Sequence, residues 1–458
     1  MSEQLNLKTK IQDLFDTTPD SINSVSYGRK YKSGSETNDL CIVFGVDKKK
    51  RIQDLSPEEI LPSEIIIDGK KYLTDVIETT IPSLITCHSF NPGVNESDSN
   101  IQKLRGNPQL LTPLKGGQQI TKFPTDWIDS GLIINGVRQY YISVGTLGFF
   151  AVDNNDNKVV GVTNTHVAVS KLLYCNDQQN LEGFKIDPYN SCLPDFVFPP
   201  NGTKYYPGQL SYDGLLNTNY LTCQYIKRYK PFSTSNTNYV DAALLVMDPA
   251  HVNSESYKIH QANGVADYTA YMPFATTAEL DNLLSTDPTI YSTGRTTGPK
   301  GYGATTSCQL KITNINYAGD VGFDDGIAPF ADTIMFKYRD NSSYPAYGGD
   351  SGSAVVAVIG GVRKIIGLLF AANVVDKYGL IIRIDRIAND LNIRAWDSNY
   401  TLNTTLPTPE YRVAKVSLGY GGYDSVVIDG KKFYQAGFIK RNNPTFIKNI
   451  PFGLPPGT

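Results

Sequence analysis

The sequence is poor in cysteine and histidine, and neither residue is spaced to hold a metal. Six cysteines (Cys41, Cys87, Cys175, Cys192, Cys223, Cys308) are spread over 458 residues without a CxxC pair. That spacing argues against a zinc site and implies no disulfide framework. Free, buried thiols in a reducing compartment are expected. Long apolar runs are missing as well. The most apolar stretch, 354–370, is interrupted by Arg363 and Lys364, so it reads as two strands and a turn, and no membrane partner is expected. Charge of one sign is not in excess: 42 Lys+Arg stand against 45 Asp+Glu, a net charge of -3. With no basic stripe, no nucleic-acid partner is expected. A secretory signal is also lacking. Residues 1–16, MSEQLNLKTKIQDLFD, have the pattern of an amphipathic helix, not a basic region followed by an apolar core. A cytoplasmic or particle-associated setting is therefore expected ahead of classical secretion.

What is abundant points to β-structure. The chain has 29 Tyr, 39 Gly and 26 Pro among many Thr and Asn, a composition of strands and turns. At 40 % hydrophobic and 19 % charged residues it is globular, and its length suits two or three units. Residues 1–85 read as a small α+β domain: the helix, the buried-strand run Leu40–Val46, and a hairpin turning at Asp68-Gly69. Residues 86–115, rich in Asn, Ser, Pro and Gly, read as a linker. From 116 to 395 short strands alternate with turn signals, with a short closing helix within 383–394. Residues 396–458 read as a C-terminal extension with a hairpin at Asp429-Gly430.

Three segments carry chemistry. In Tyr347-Gly348-Gly349-Asp350-Ser351-Gly352-Ser353-Ala354, glycines flank a serine just before an apolar strand. Serine is a poor nucleophile until a base takes its proton and donors receive the oxyanion. The flanking glycines let the backbone turn sharply, and the amides of Gly349 and Ser351 are the expected donors. The segment Val159–Ala168 sets His166 just after an apolar strand, one of only four histidines. His88, His251 and His260 have no such context. Asp241 stands at the head of the apolar run Ala242–Val246, where a carboxylate needs a partner such as an imidazole N–H. Asp195 and Asp248 precede no such run. The segment Asp153-Asn154-Asn155-Asp156-Asn157 lacks the terminal acid of a calcium loop and reads as a hairpin turn.

The order His166, Asp241, Ser351 with Gly349-Asp350-Ser351-Gly352 resembles the chymotrypsin/trypsin-like serine peptidases. Thr163–Val167 is similar to that family's histidine segment, Asp241–Leu245 to its aspartate strand, and Gly145–Phe149 to a strand preceding the histidine hairpin in bacterial members. The resemblance implies a mainly β fold of two antiparallel six-stranded barrels. It also implies a catalytic triad of His166, Asp241 and Ser351, an oxyanion hole at Gly349 and Ser351, protein or peptide substrates, and no cofactor or metal. Ile366–Ala372 resembles the strand lining the primary specificity pocket, so Pro345, Phe370, Ala371 and Ala372 are the expected substrate-binding residues. The long interval between His166 and Asp241 implies an insertion between Leu172 and Phe232.

The chain departs from the family in two places. Leu114-Lys115-Gly116-Gly117 keeps two glycines but not the small apolar pair of cleavage-activated members. An active single chain and cleavage after Lys115 both stay open. Ala372 stands where the family often has glycine and narrows the pocket toward small or medium apolar side chains. Two other classes of function compete. One is a structural or assembly protein, for example virion-associated, that uses the barrel as scaffold and its terminal segments for partners. The other is an esterase, disfavoured because no Gly-x-Ser-x-Gly elbow surrounds Ser351.

Overall fold

The computed structural model describes residues 3–19, 21–32, 35–84, 113–121, 127–134, 137–142, 144–168, 223–230, 233–247, 251–260, 270–301, 309–323, 326–341, 343–402, 425–428 and 431–434. Helix α1 (Glu3–Thr17) opens the chain, followed by β1 (Ile22–Lys32), β2 (Ser35–Val46), β3 (Glu64–Ile67), β4 (Lys70–Glu78) and β5 (Ser83–Leu84). Next come β6 (Gln119–Thr121), β7 (Trp127–Ile134), β8 (Val137–Ile142), β9 (Val144–Thr146), β10 (Phe149–Asp153), β11 (Lys158–Thr163) and the single helical turn α2 (Thr165–Ala168). Strands β12 (Cys223–Tyr229) and β13 (Ala243–Met247) precede α3 (Thr277–Asp281) and α4 (Leu283–Thr286). The remaining sequence gives β14 (Ile290–Gly294), β15 (Gly298–Lys300), β16 (Leu310–Phe323), β17 (Gly326–Tyr338), β18 (Ala354–Ile359), β19 (Val362–Asn373) and β20 (Tyr378–Arg383). Helix α5 (Ile384–Asp390), β21 (Ile393–Ala395), β22 (Ser425–Ile428) and β23 (Lys431–Tyr434) complete the set.

Turn chemistry sets several pairings. Asp68 and Gly69 have φ of 51° and 77°, the two positive values that a tight two-residue hairpin requires, and β3 pairs with β4 across them. Gly360 and Gly361, at 59° and 80°, close β18 onto β19 in the same way. The apolar stretch 354–370 is therefore two strands and a turn. Residues 153–157 form the β10–β11 turn, where Asn157 takes a φ of 56°.

The architecture is mainly β, but the strands are not shared out as two sets of six. Among the described residues one sheet has five strands, in the order β12-β13-β11-β10-β21. A second has twelve, running β15-β14-β18-β19-β20-β17-β16-β1-β2-β4-β3 with β5 paired to both β16 and β19. The five-stranded sheet is covered on both faces. Phe149, Ala151, Val160 and Val162 join the large core, whereas Phe150, Val152, Ala243 and Leu245 face a smaller core capped by Trp396. Because alternate side chains take opposite faces, the β10 sequence Phe-Phe-Ala-Val is apolar throughout.

Residues to either side of the sequence-based boundaries pack together. β1 pairs with β16 as well as β2, so the sheet continues from the N-terminal strands into the region 116–395. Helix α1 lays Leu7 and Ile11, four residues apart on one face, against Ile22, Val25 and Phe44 and against Ala318 and Ala331 of β16 and β17. At the other boundary, Trp396 is buried and the Tyr400 hydroxyl donates to Asn157 O at 2.9 Å. Residues 86–112 of the expected linker and residues up to 222 of the insertion expected between Leu172 and Phe232 lie outside the described residues, whereas Cys223–Tyr229 within that interval is strand β12 of the five-stranded sheet. Among those residues no helix is long and apolar enough to cross a membrane.

Candidate active site

The pairing of β11 with β13 brings His166 to Asp241. The strands run antiparallel with Thr163 opposite Ala243, Val162 opposite Leu244 and Gly161 opposite Leu245. Continuing that register past the strand ends sets the 164–166 segment beside 240–242. Side chains fix the junction: Asn164 Nδ2 donates to Asp241 O at 2.7 Å, and Thr165 Oγ1 lies 2.8 Å from Ala242 O. The Asp241 carboxylate holds His166 twice. Oδ2 is 2.5 Å from the ring Nδ1, and Oδ1 accepts from the backbone N–H at 3.2 Å. Both side chains are fully buried. A carboxylate there is tolerable because it is paired and hydrogen-bonded. Holding Nδ1 as the donor leaves the Nε2 lone pair as the basic position, and that buried Nε2 has no hydrogen-bond partner among the described residues.

Ser351 is held by its backbone. Its carbonyl accepts from Thr146 N at 2.7 Å, and Gly352 N donates to Leu369 O at 2.9 Å. Gly352 has a φ of 89°. A Cβ on it would come within 2.1 Å of Thr146 O and 2.3 Å of Thr163 Oγ1. Glycine is therefore required for both conformation and space. Thr163 Oγ1 donates to Thr146 O at 2.7 Å, so the serine loop rests on the strand that ends three residues before His166. The Ser351 hydroxyl donates to Phe370 O at 3.3 Å. His166 and Asp241 are thus in direct contact and Ser351 is joined to them through shared neighbours, without a hydrogen bond from Ser351 to His166.

The loop's carbonyls are pinned in sequence. Gly348 O accepts from Thr296 Oγ1 at 2.6 Å, Gly349 O from Thr146 Oγ1 at 2.8 Å and Asp350 O from Ser353 N at 3.0 Å. In a trans peptide the N–H points opposite its carbonyl. The Gly349 N–H is therefore aimed away from Thr296, and the Ser351 N–H away from Ser353.

Asp350 is the buried anchor of this loop. Its Oδ1 accepts from Thr296 N and Thr297 N, both at 3.0 Å. Its Oδ2 accepts from Thr297 Oγ1 at 2.8 Å, Lys300 Nζ at 3.0 Å and Tyr347 N at 3.1 Å. Lys300 Nζ also donates to Pro345 O at 2.6 Å. Burial pushes the Lys300 pKa down, and the Asp350 charge opposes that shift. Gly294 makes room, since a Cβ on it would meet Asp350 Oδ1 at 2.2 Å. Sequence reasoning missed Lys300 and the two threonines. Thr296-Thr297-Gly298-Pro299-Lys300 reads as an ordinary turn, and only the need of a buried Asp350 for a cation could have directed attention to it. Leu114–Gly117, where the sequence leaves cleavage open, is tied down: Leu114 N donates to His251 O at 2.7 Å and Gly116 N to Lys258 O at 3.1 Å.

Phe370, Ala371 and Ala372 lie on β19, and all three are buried. Ala371 and Ala372 pair with Leu84 and Ser83 of β5. Asp195 and Asp248 lie outside the described residues.

No family profile matches the sequence, and no curated protein does. Solved structures do. Nocardiopsis protease is 14 % identical, with 55 % of this chain and 92 % of that chain covered at a TM-score of 0.30. Thermobifida fusca protease A is 12 % identical, with 62 % and 98 % covered at 0.32. A glutamic acid-specific serine protease is 13 % identical, with 57 % and 95 % covered at 0.28. The structures to which the chain is similar are chymotrypsin-like serine proteases, at superpositions too loose to bear on what this chain does.

Proposed function

We propose that the chain is a serine endopeptidase in which Ser351, His166 and Asp241 act as a triad. The observation that carries this reading is the double hold of Asp241 on His166, through ring Nδ1 at 2.5 Å and backbone N at 3.2 Å. It leaves Nε2 of that ring as the position that accepts a proton. In the reaction Ser351 leaves Phe370 O, gives its proton to His166 Nε2 and attacks a peptide carbonyl. Asp241 stabilises the resulting imidazolium, and the Gly349 and Ser351 amides receive the oxyanion. His166 then protonates the leaving amine, and water hydrolyses the acyl-enzyme. Lys300 supplies the cation that pairs Asp350 from within the chain, so the active form is a single chain and cleavage after Lys115 is not needed. In this reading the five-stranded sheet is the core of one barrel and strands β14–β20 form the other. The Ala372 methyl and Pro345 favour a small or medium apolar residue before the scissile bond; a peptide-library profile dominated by Lys or Arg would contradict that preference.

The competing scaffold reading draws on the complete burial of Ser351 and His166. A fluorophosphonate probe separates the two. Label on the parent that is lost in Ser351→Ala and His166→Ala supports the peptidase; no label on any folded form, including variants that uncover the site, supports the scaffold.

A further inference from the structure

The edge of β19 that leads away from Ser351 is already taken. β18 pairs along this edge from Val362 to Leu368. Next come Ser353 and Gly352, bonded to Leu369, and Ser351, whose hydroxyl meets Phe370 O. On the opposite edge β20 pairs with Ala371 and Ala372, through Leu380 and Gly379. Leu84 and Ser83, which pair with the same two alanines, therefore lie on the edge that carries the nucleophile. Ser351 and β5 are successive neighbours along one strand. Their polarity also fits: β5 runs antiparallel to β19, so from Ser83 to Leu84 it points from Ala372 to Ala371, in the direction of Phe370 and the serine.

The seat of this segment is specific. Leu84 is 3 % exposed and belongs to the large core. Gly322 N donates to Pro82 O at 2.8 Å, and Ser83 pairs with Gly322 on the other side. Upstream, Asn373 Nδ2 donates to Thr80 O at 2.7 Å, while Asp376 Oδ2 accepts from Thr79 Oγ1 at 2.8 Å and Thr80 N at 3.0 Å. An exposed strand edge is a template for any extended peptide. Here the template is filled from within the molecule, next to a serine that is fully buried, as is His166.

We propose that residues 79–84 are a built-in occupant of the peptide-binding edge and hold the enzyme latent, so that an extended substrate must displace β5 to reach Ser351. This inference rests on the peptidase reading. Its test compares fluorophosphonate labelling rates of the full-length parent, Leu84→Glu, Leu84→Gly and Ile66→Glu. Leu84→Glu drives β5 out by burying a carboxylate in its place, and Leu84→Gly only removes the buried side chain, keeping the test usable if the charged variant fails to fold. Ile66, exposed on β3, is the control for a charge elsewhere in the N-terminal strands. If β5 is seated in most molecules, releasing it raises labelling by the inverse of the open fraction, about tenfold or more, and Ile66→Glu leaves the parent rate unchanged. Labelling at one rate in the parent and in the folded Leu84 variants overturns the latency and leaves the peptidase standing. No labelling of any folded form overturns the peptidase itself, and the latency with it.

Discussion

Lys300 and Gly352 each serve the nucleophile loop by a different physical means. Lys300 donates to the buried Asp350 carboxylate and to Pro345 O, bonds that a neutral amine keeps but a methionine cannot make, and removing that partner of a buried carboxylate costs about 3–5 kcal/mol. Lys300→Met is expected to show that loss in denaturant unfolding and to label with fluorophosphonate far more slowly than the parent. The pH dependence has a definite sign. Burial lowers the Lys300 pKa, so as pH rises the ammonium is lost before the ordinary lysine value of about 10.4 and Asp350 loses its counter-charge. The alkaline limb of kcat/KM is expected below that value, and Lys300→Arg is expected to move it upward. The folded state releases this proton before the unfolded state does, so the linked term makes the fold more stable across the same window. Activity lost there is not unfolding. For Gly352→Ala, the positive φ and the clash with Thr146 O are expected to cost about 3 kcal/mol or more. A thermal melt within a degree of the parent would sink that account.

Among the elements, those set by neighbours in sequence were legible and those set by distant partners were not. Asp68-Gly69 announces the β3–β4 hairpin, and Arg363-Lys364 marks where an apolar run must break. Glycines around Ser351 and an acid ahead of Ala242–Val246 mark two segments that the structure holds against Thr146 and Thr163 and against His166. Nothing in Ile22–Lys32 says that its partner will be β16, because that pairing depends on tertiary packing and not on a turn. The same holds for Ser83-Leu84, too short for any periodic signal. Arg383 is similar: an arginine at the start of a closing helix looks solvated, yet it is fully buried and bonds Asp281, Asp332 and Asp385. Lys8 of α1 reaches the same cluster, 2.9 Å from Asp281. The Asp385 carboxyl is raised by desolvation but held below its usual pKa overall by the Arg383 hydrogen bond and charge. Its contribution is present above the unfolded carboxylate value of about 3.9 and is lost as pH falls through the lower folded value. Asp385→Asn is expected to flatten stability against pH in that acid window, as read by urea midpoints.

For the whole molecule, the pairing of β1 with β16 sets what can be removed. A chain lacking residues 1–85 would expose the long edge of β16 and uncover Ala318 and Ala331, and unpaired edges of that length promote association. Such a truncation is expected to elute as aggregate in size-exclusion chromatography, whereas independent domains would give a folded monomer.

The two anchored ends of residues 85–112 carry one more consequence. Leu84 is pinned between β16 and β19, while Leu114 and Gly116 are hydrogen-bonded to His251 and Lys258. Covalent continuity between them is not what keeps the two portions together. A single break in that stretch would leave a two-chain protein that migrates as one species on a native gel and parts into two bands only in denaturant.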